Sequence, residues 1–186
     1  MTDRRTVIAD AAITAIAREG MRGFTHRAVD RTAGLAEGST SYYFRTREAL
    51  MAAALARMAE LDRADLGDLP HLTGAVDLDS LTDLLTGVVL SWLTEGRDRA
   101  LARYELTLES TRRPFLHEQL VTWGAQFRDM AEMTLRAAGA SDPERRGRAM
   151  VSYLDGLVLH QLTRPAESTE ADVRAACRDL LVTALK

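Results

Sequence analysis

Apolar residues recur every three to four positions along most of the chain, the period of an α-helix with one buried face. In the first such segment, about Thr6 to Glu19, the residues Val7, Ile8, Ala11, Ala12, Ala15 and Ile16 fall on one side. Gly20 and Gly23 end it. Thr25 is placed to cap a short helix from His26 to Ala33, with Ala28, Val29 and Thr32 turned inward. Gly34 permits a sharp left-handed turn, and a second short helix covers about Glu37 to Phe44. Thr46 caps a long fourth helix, with Glu48 near its positive end and Leu50, Met51, Ala54, Leu55, Met58 and Leu61 as its stripe.

The pattern breaks at Gly67–Asp77, "GDLPHLTGAVD", whose proline, glycines and aspartates read as a linker. Helical spacing then resumes. Leu78–Thr94 aligns Leu81, Leu84, Leu85, Val88 and Trp92, and Arg97–Arg113 follows. Pro114 opens a long helix to about Ala138, with Leu116, Leu120, Trp123, Phe127, Met130 and Thr134 along one side. Asp142-Pro143 starts another, which turns Met150, Tyr153, Leu154, Leu157, Val158 and Leu162 inward and closes at Pro165. Ser168 caps a last helix carrying Val173, Ala176, Cys177, Leu180, Leu181 and Ala184. No segment alternates with the period of a strand. The expected fold is all-α, about nine helices, divided into a small head at residues 1–48 and a helical body at 49–186.

Composition supports a packed protein. Of 186 residues, 46% are apolar, and no run approaches the length of a membrane span. The charged start of the chain has no secretory core, so the expected location is the cytoplasm. One cysteine, Cys177, rules out an internal disulfide and sits on an apolar stripe as a buried thiol. Net charge is only −3, but its distribution is uneven. The first fifty residues hold eight Arg against six acids, while the remainder is acidic.

The window from Gly34 to Leu50, "GLAEGSTSYYFRTREAL", needs its own explanation, because a surface turn requires far less chemistry. A short helix, a glycine turn and a second short helix make a helix-turn-helix unit. Both helices are too short to persist alone. Ile16, Phe24, Val29, Leu35, Phe44 and Leu50 are the expected small core beneath them. Ser39, Thr40 and Ser41 are slim enough to enter a DNA major groove about 12 Å wide and can bond base edges. Tyr42 and Tyr43 offer flat apolar area and a hydroxyl for a phosphate or a thymine methyl. Arg45, Thr46 and Arg47 suit a phosphate beside the start of the fourth helix. Thr25, His26 and Arg27 open the preceding helix and face the same backbone, with Arg27 in reach of a guanine edge. Glu37 is the one acid that faces phosphates poorly.

These residues also resemble a known family. "ITAIAREGMRGFTHRAVDRTAGLAEGSTSYYFRTREALMAAAL" is similar to the N-terminal domain of TetR-family transcriptional regulators, over residues 8–55. Its pattern is a G-aromatic-T step, a short helix ending A-G-L, and then G-S-x-x-x-Y-F-x-T-R-E-x-L. The family often has Leu or Ile at Thr40 and Tyr at Ser41. Arg27, Ser39, Tyr42, Tyr43 and Arg47 fall where relatives commonly touch DNA. Past the head, the likeness is one of helical layout, with "RYELTLESTRRPFL" and "LDGLVLHQL" similar to one subgroup. The resemblance implies a repressor that binds a double-stranded operator as a homodimer and is released by a small-molecule inducer held in the body.

In the body, Trp92, Tyr104, Trp123, Phe127 and Met130 lie on helical stripes, together with Leu108 and Leu159. Glu105 and Asp155 stand on apolar sides of their helices, where a carboxylate is costly unless it is bonded. These nine residues are the candidate ligand site. The competing reading is simple core, with Glu105 paired to Arg103, Arg112 or Arg113. Tyr153, Gly156, Leu157 and His160, with Val173, Cys177, Leu180, Leu181 and Ala184, are the candidate dimer interface, two hairpins joining into a four-helix bundle. Ordinary intrachain packing is the alternative.

Catalysis finds no footing. The four His residues have no metal spacing, and there is no nucleophile elbow, P-loop or dinucleotide fingerprint. No cofactor and no metal is expected. The rival to a DNA-binding regulator is a helical adaptor between proteins, or a regulator that responds to no ligand.

Overall fold

The helical period is realised throughout the residues described by this computed structural model, which are 3–67, 77–165, 167 and 169–186. Among them lie nine helices and no strand: α1 Arg4–Gly23, α2 His26–Ala33, α3 Ser39–Tyr43, α4 Arg47–Gly67, α5 Leu78–Leu93, α6 Arg97–Ser110, α7 Pro114–Ala137, α8 Pro143–Thr163 and α9 Glu170–Ala184. The expected linker falls almost wholly outside the described residues, as does Ser168. The chain forms two compact units. One takes in α1 to α4 with Asp98–Val121, and the other takes in α5 with Thr122–Lys186.

In the first unit α1 packs on α2 and α4. Ile8, Ala12, Ile16, Phe24, Val29, Leu50, Met51 and Met58 are buried together there, and Phe44 closes the base of α3. Leu35 is only half-buried. Regular helical geometry in α1 breaks at Gly20, whose φ of 65° and ψ of −179° leave one further turn before Phe24. Glu105 accepts the Met21 N–H freed by that break, at 3.2 Å. Arg99 bonds the buried Asp62 at 3.0 Å and so holds α6 on α4. Gly34, at φ 64°, and Gly38, at φ 93°, bracket the turn between α2 and α3 in a region that side-chain-bearing residues avoid. Thr32, expected to face inward, is exposed, because α2 buries only Ala28, Val29 and Asp30.

In the second unit α9 lies along α5, and α8 packs on both. The buried stripe of α5 is Leu81, Thr82, Thr86 and Val89, while Leu84, Leu85, Val88 and Trp92 are only half-buried. Two threonines can line a core because their hydroxyls donate back along the helix, Thr82 to Leu78 O at 2.7 Å and Thr86 to Thr82 O at 2.6 Å. In α8 the stripe is Gly147, Met150, Leu154, Val158, Gln161 and Leu162. Tyr153 is left outside and Leu157 is only half-buried, which corrects the inward placement of both. Asp142 caps α8 as expected. Thr169, not Ser168, occupies the cap position of α9, in a reciprocal box with Asp172. Ion pairs Arg174–Asp83 at 2.7 Å and Arg178–Asp79 fasten α9 to α5.

Helix α8 comes close to α7 at Gly147, where a Cβ would stand 2.9 Å from the Glu132 backbone N. A helical glycine at Gly87 in α5 meets nothing within 4 Å. Replacing Gly147 by Val is therefore expected to cost about 1–3 kcal/mol through overpacking. Gly87→Ala is expected to add about 0.5–1 kcal/mol by relieving the unfolded-chain entropy of a helical glycine. Urea titration of the two variants checks both signs.

Candidate nucleic-acid interface

The helix-turn-helix is built around one buried carboxylate. Asp30, 3% exposed midway along α2, accepts three hydrogen bonds from α3 and the turn before it. The donors are Gly38 N at 2.8 Å, Thr40 N at 2.7 Å and Thr40 Oγ1 at 2.6 Å. Burial pushes the acid's pKa up, but the bonds from Thr40 and Gly38 outweigh it and hold Asp30 below the ordinary carboxylate value. A second tie closes the other end of the motif. His26 Nε2 lies 2.7 Å from Phe44 O, and since a carbonyl only accepts, that ring nitrogen carries the proton.

This arrangement sorts the proposed DNA contacts. Thr40 is fully buried, with its hydroxyl spent on Asp30, so it leaves the set of base readers. Thr25 accepts the Ala28 N–H at 3.1 Å and serves as the α2 cap. Arg47 turns inward: its guanidinium donates to Met21 O and lies 5.8 Å from the centre of the Phe24 ring. The phosphate role expected of Arg47 gives way to a structural one, because a long side chain at the head of α4 reaches a carbonyl left free where α1 ends. Thr46 caps α4 by accepting the Ala49 N–H at 3.1 Å. Arg27 forms an exposed ion pair with Glu37 at 2.6 Å.

What faces outward is Ser41, Tyr42 and Arg45, with Ser39 and Tyr43 half-buried beside them. Tyr42 is 80% exposed, far more than an aromatic residue needs for packing, and meets Tyr43 edge-on with ring centres 5.1 Å apart. Arg5 was missed in the sequence. Its guanidinium lies 5.8 Å from the Tyr43 ring and 5.2 Å from the Phe44 ring, so α1 adds a cation beside α3. The adjacent pair Arg4-Arg5 at the start of an amphipathic helix was the available signal. Asp30 was missed too. An acid following Val29 on the buried side of a short helix could have marked it.

The other candidates divide between the two units. Tyr104, Glu105 and Leu108 belong to the first. Arg103 stacks over Tyr104 at 5.2 Å, Leu108 is 63% exposed, and Glu105 is bound to the α1 break and not to an arginine. Trp92, Trp123, Phe127, Met130, Asp155 and Leu159 belong to the second. There Phe127 stands edge-on to Trp92 at 6.1 Å and to Trp123 at 6.0 Å. Asp155 and Leu159 are exposed, so neither shares the inward side of α8. Of the dimer candidates, Tyr153, Gly156 and His160 are exposed and Leu157 is half-buried. Val173, Cys177, Leu180, Leu181 and Ala184 are buried in the protomer's own packing, which removes them from any outer face. Burial also pushes the Cys177 thiol pKa upward.

Comparison with known proteins agrees with this geometry. Residues 8–54 match the family of bacterial regulatory proteins, tetR family, and residues 76–185 match the tetracyclin repressor-like C-terminal domain. The chain belongs to the TetR family. It is thus a DNA-binding transcriptional regulator of the helix-turn-helix type, in a family whose members are generally not enzymes. Its fold is similar to a transcriptional regulator from Rhodococcus sp. Rha1, at TM-score 0.86 and 21% identity over 98% of this chain and 96% of that one. A TetR-family member from Streptomyces coelicolor A3 is 30% identical over 96% and 98%, at TM-score 0.73. The multidrug binding protein EbrR, solved with imidazole, is 31% identical over 97% and 96%, at TM-score 0.68. A search of curated proteins finds no match. Among the described residues, no helix is long and apolar enough to cross a membrane.

Asp30→Asn keeps the shape but turns an NH2 toward donors, and is expected to cost about 1–3 kcal/mol at neutral pH. Because the folded pKa of Asp30 is lowered, its contribution is complete above the unfolded value of about 4 and is lost as pH falls through the folded pKa. The stability gap between wild type and variant should therefore narrow in acid. Urea unfolding at pH 7 and near pH 3 measures it. Arg47→Ala is likewise expected to lower the melting temperature, through loss of the Met21 bond.

Proposed function

We propose that this regulator is a repressor that binds a palindromic operator as a homodimer and is released by a small molecule. In this reading residues 1–48 present the DNA-contacting surface, residues 49–186 carry dimerisation and effector binding, and the protein works in the cytoplasm. The observation that carries it is the outward set of Ser41 and Tyr42 on a helix locked from beneath by Asp30, with Arg45 on the loop just after it. Such a rod enters the major groove with its hydroxyls toward base edges and its cation toward phosphate. One head of this size touches few bases. Two heads about 34 Å apart, one turn of DNA, reach the specificity a regulator needs.

The exposed side of α8 supports the dimer. Tyr153, Gly156 and His160 recur at helical spacing, and a Cβ at Gly156 would meet nothing within 4 Å, so the backbone of a second helix can come close. On α9 the outer residue Val182, 37% exposed, replaces the five buried ones. The effector reading is supported by the aromatic cluster and by EbrR, which has been solved with imidazole, ethidium, proflavin and malachite green.

Fluorescence anisotropy with the palindromic DNA nearest the gene tests the proposal. Tyr42→Ala is expected to weaken binding by roughly tenfold or more with the fold intact, a loss of one base contact. Arg45→Ala should lower the salt slope by about one. A chain that stays monomeric, or binds all DNA sequences equally, sinks the reading.

A further inference from the structure

Helix α7 holds two hydrogen-bond donors with nothing to bond. Trp123 is 6% exposed, and its indole Nε1 is buried without an acceptor. One turn further on, Gln126 Nε2 is buried without one as well. Buried donors in native proteins nearly always have partners, and an indole N–H can only donate. Residues three apart on a helix share a face, with their Cβ atoms about 5–6 Å apart. The two side chains therefore leave α7 on one face. Flat apolar walls stand beside Trp123: Phe127 lies edge-on to it and also to Trp92, and both Phe127 and Trp92 are partly open.

We infer that this face of α7 binds a flat aromatic molecule, neutral or anionic, whose oxygen atoms accept from Trp123 Nε1 and Gln126 Nε2. The inference rests on the effector reading above and names the chemistry of its ligand. Cationic dyes fit this face poorly. Ring faces attract a cation, but a cation brings no acceptor, so both N–H groups stay unmet beneath it. A dye site also gains from an acid that balances the charge. Glu105 binds the Met21 N–H in the other unit, and Asp155 lies on the exposed side of α8. An oxyanion or quinone oxygen supplies what the donors lack, while the fused rings fill the aromatic walls.

Calorimetric titration of the full chain with two flat probes of similar size tests this. Anthraquinone-2-carboxylate is expected to bind roughly tenfold tighter than proflavin. Trp123→Phe keeps the ring and deletes the N–H, and should weaken the anthraquinone by about five- to tenfold while leaving proflavin unchanged. Gln126→Leu should act the same way, which keeps the test open if Trp123→Phe folds badly. Tighter binding of proflavin, binding of neither probe, or equal anthraquinone affinity in wild type and both variants overturns the inference. Operator release is scored separately. If the anthraquinone binds through these donors yet leaves the DNA complex intact, the ligand chemistry stands and the inducer reading falls.

Discussion

Everything the head does depends on a carboxylate taken out of water and given three donors. Helices of eight and five residues do not persist in isolation, and the turn joining them is kept open by two glycines. Asp30 converts that loose hairpin into one piece. It binds the backbone at the start of α3 as well as a side chain, so α3 is fixed in both position and rotation. A rotation of even one residue would bury Ser41 or Tyr42 and expose Thr40. The orientation of the outward face of α3 is thus a consequence of a polar bond beneath it, with Phe44 and Val29 supplying the apolar floor.

The arginines of the head show how charge is distributed between scaffold and surface. Arg47 is spent on Met21 O and the Phe24 ring and so holds the fold, while Arg31 pairs with Glu19 at the surface. Arg27 is held by Glu37 in a pair exposed on both sides. Such pairs contribute about 0–1 kcal/mol, so a phosphate can take Arg27 from Glu37 at little cost. Arg45 and Arg5 are exposed on the α3 side of the head, the first on the loop after α3 and the second stacked on its aromatic end. A modest local excess of positive charge is therefore concentrated where the groove would lie, even though the whole chain carries −3.

The second unit solves a different problem. Its core is completed within one chain by α9 lying on α5, with threonines that satisfy themselves and two ion pairs at the margin. Large apolar residues left outside include Met133 on α7, Tyr153 and Leu159 on α8 and Val182 on α9. Unmet donors on α7 are a second kind of incompleteness, one that asks for a polar guest.

Much of this was legible before any coordinates. Helix positions, the caps at Thr25, Thr46 and Asp142, the glycine turn and the head's core follow from local rules, because a cap or a 3.6-residue stripe involves only neighbours in the chain. The family likeness was legible for the same reason, being carried by one continuous window. Which side of a helix meets which partner was not. Thr40 and Ser41 are chemically alike, and only the carboxylate ten residues away decides which one is buried. Arg45 and Arg47 look equivalent until the end of α1 leaves a carbonyl for one of them. On α8 and α9 the apolar stripes are wide enough to fit several rotations, and the position of α5 selects among them. Local sequence determines which elements form and where they end. Long-range hydrogen bonds and packing decide which of their faces remain free to act, since those energies depend on residues far apart in the chain.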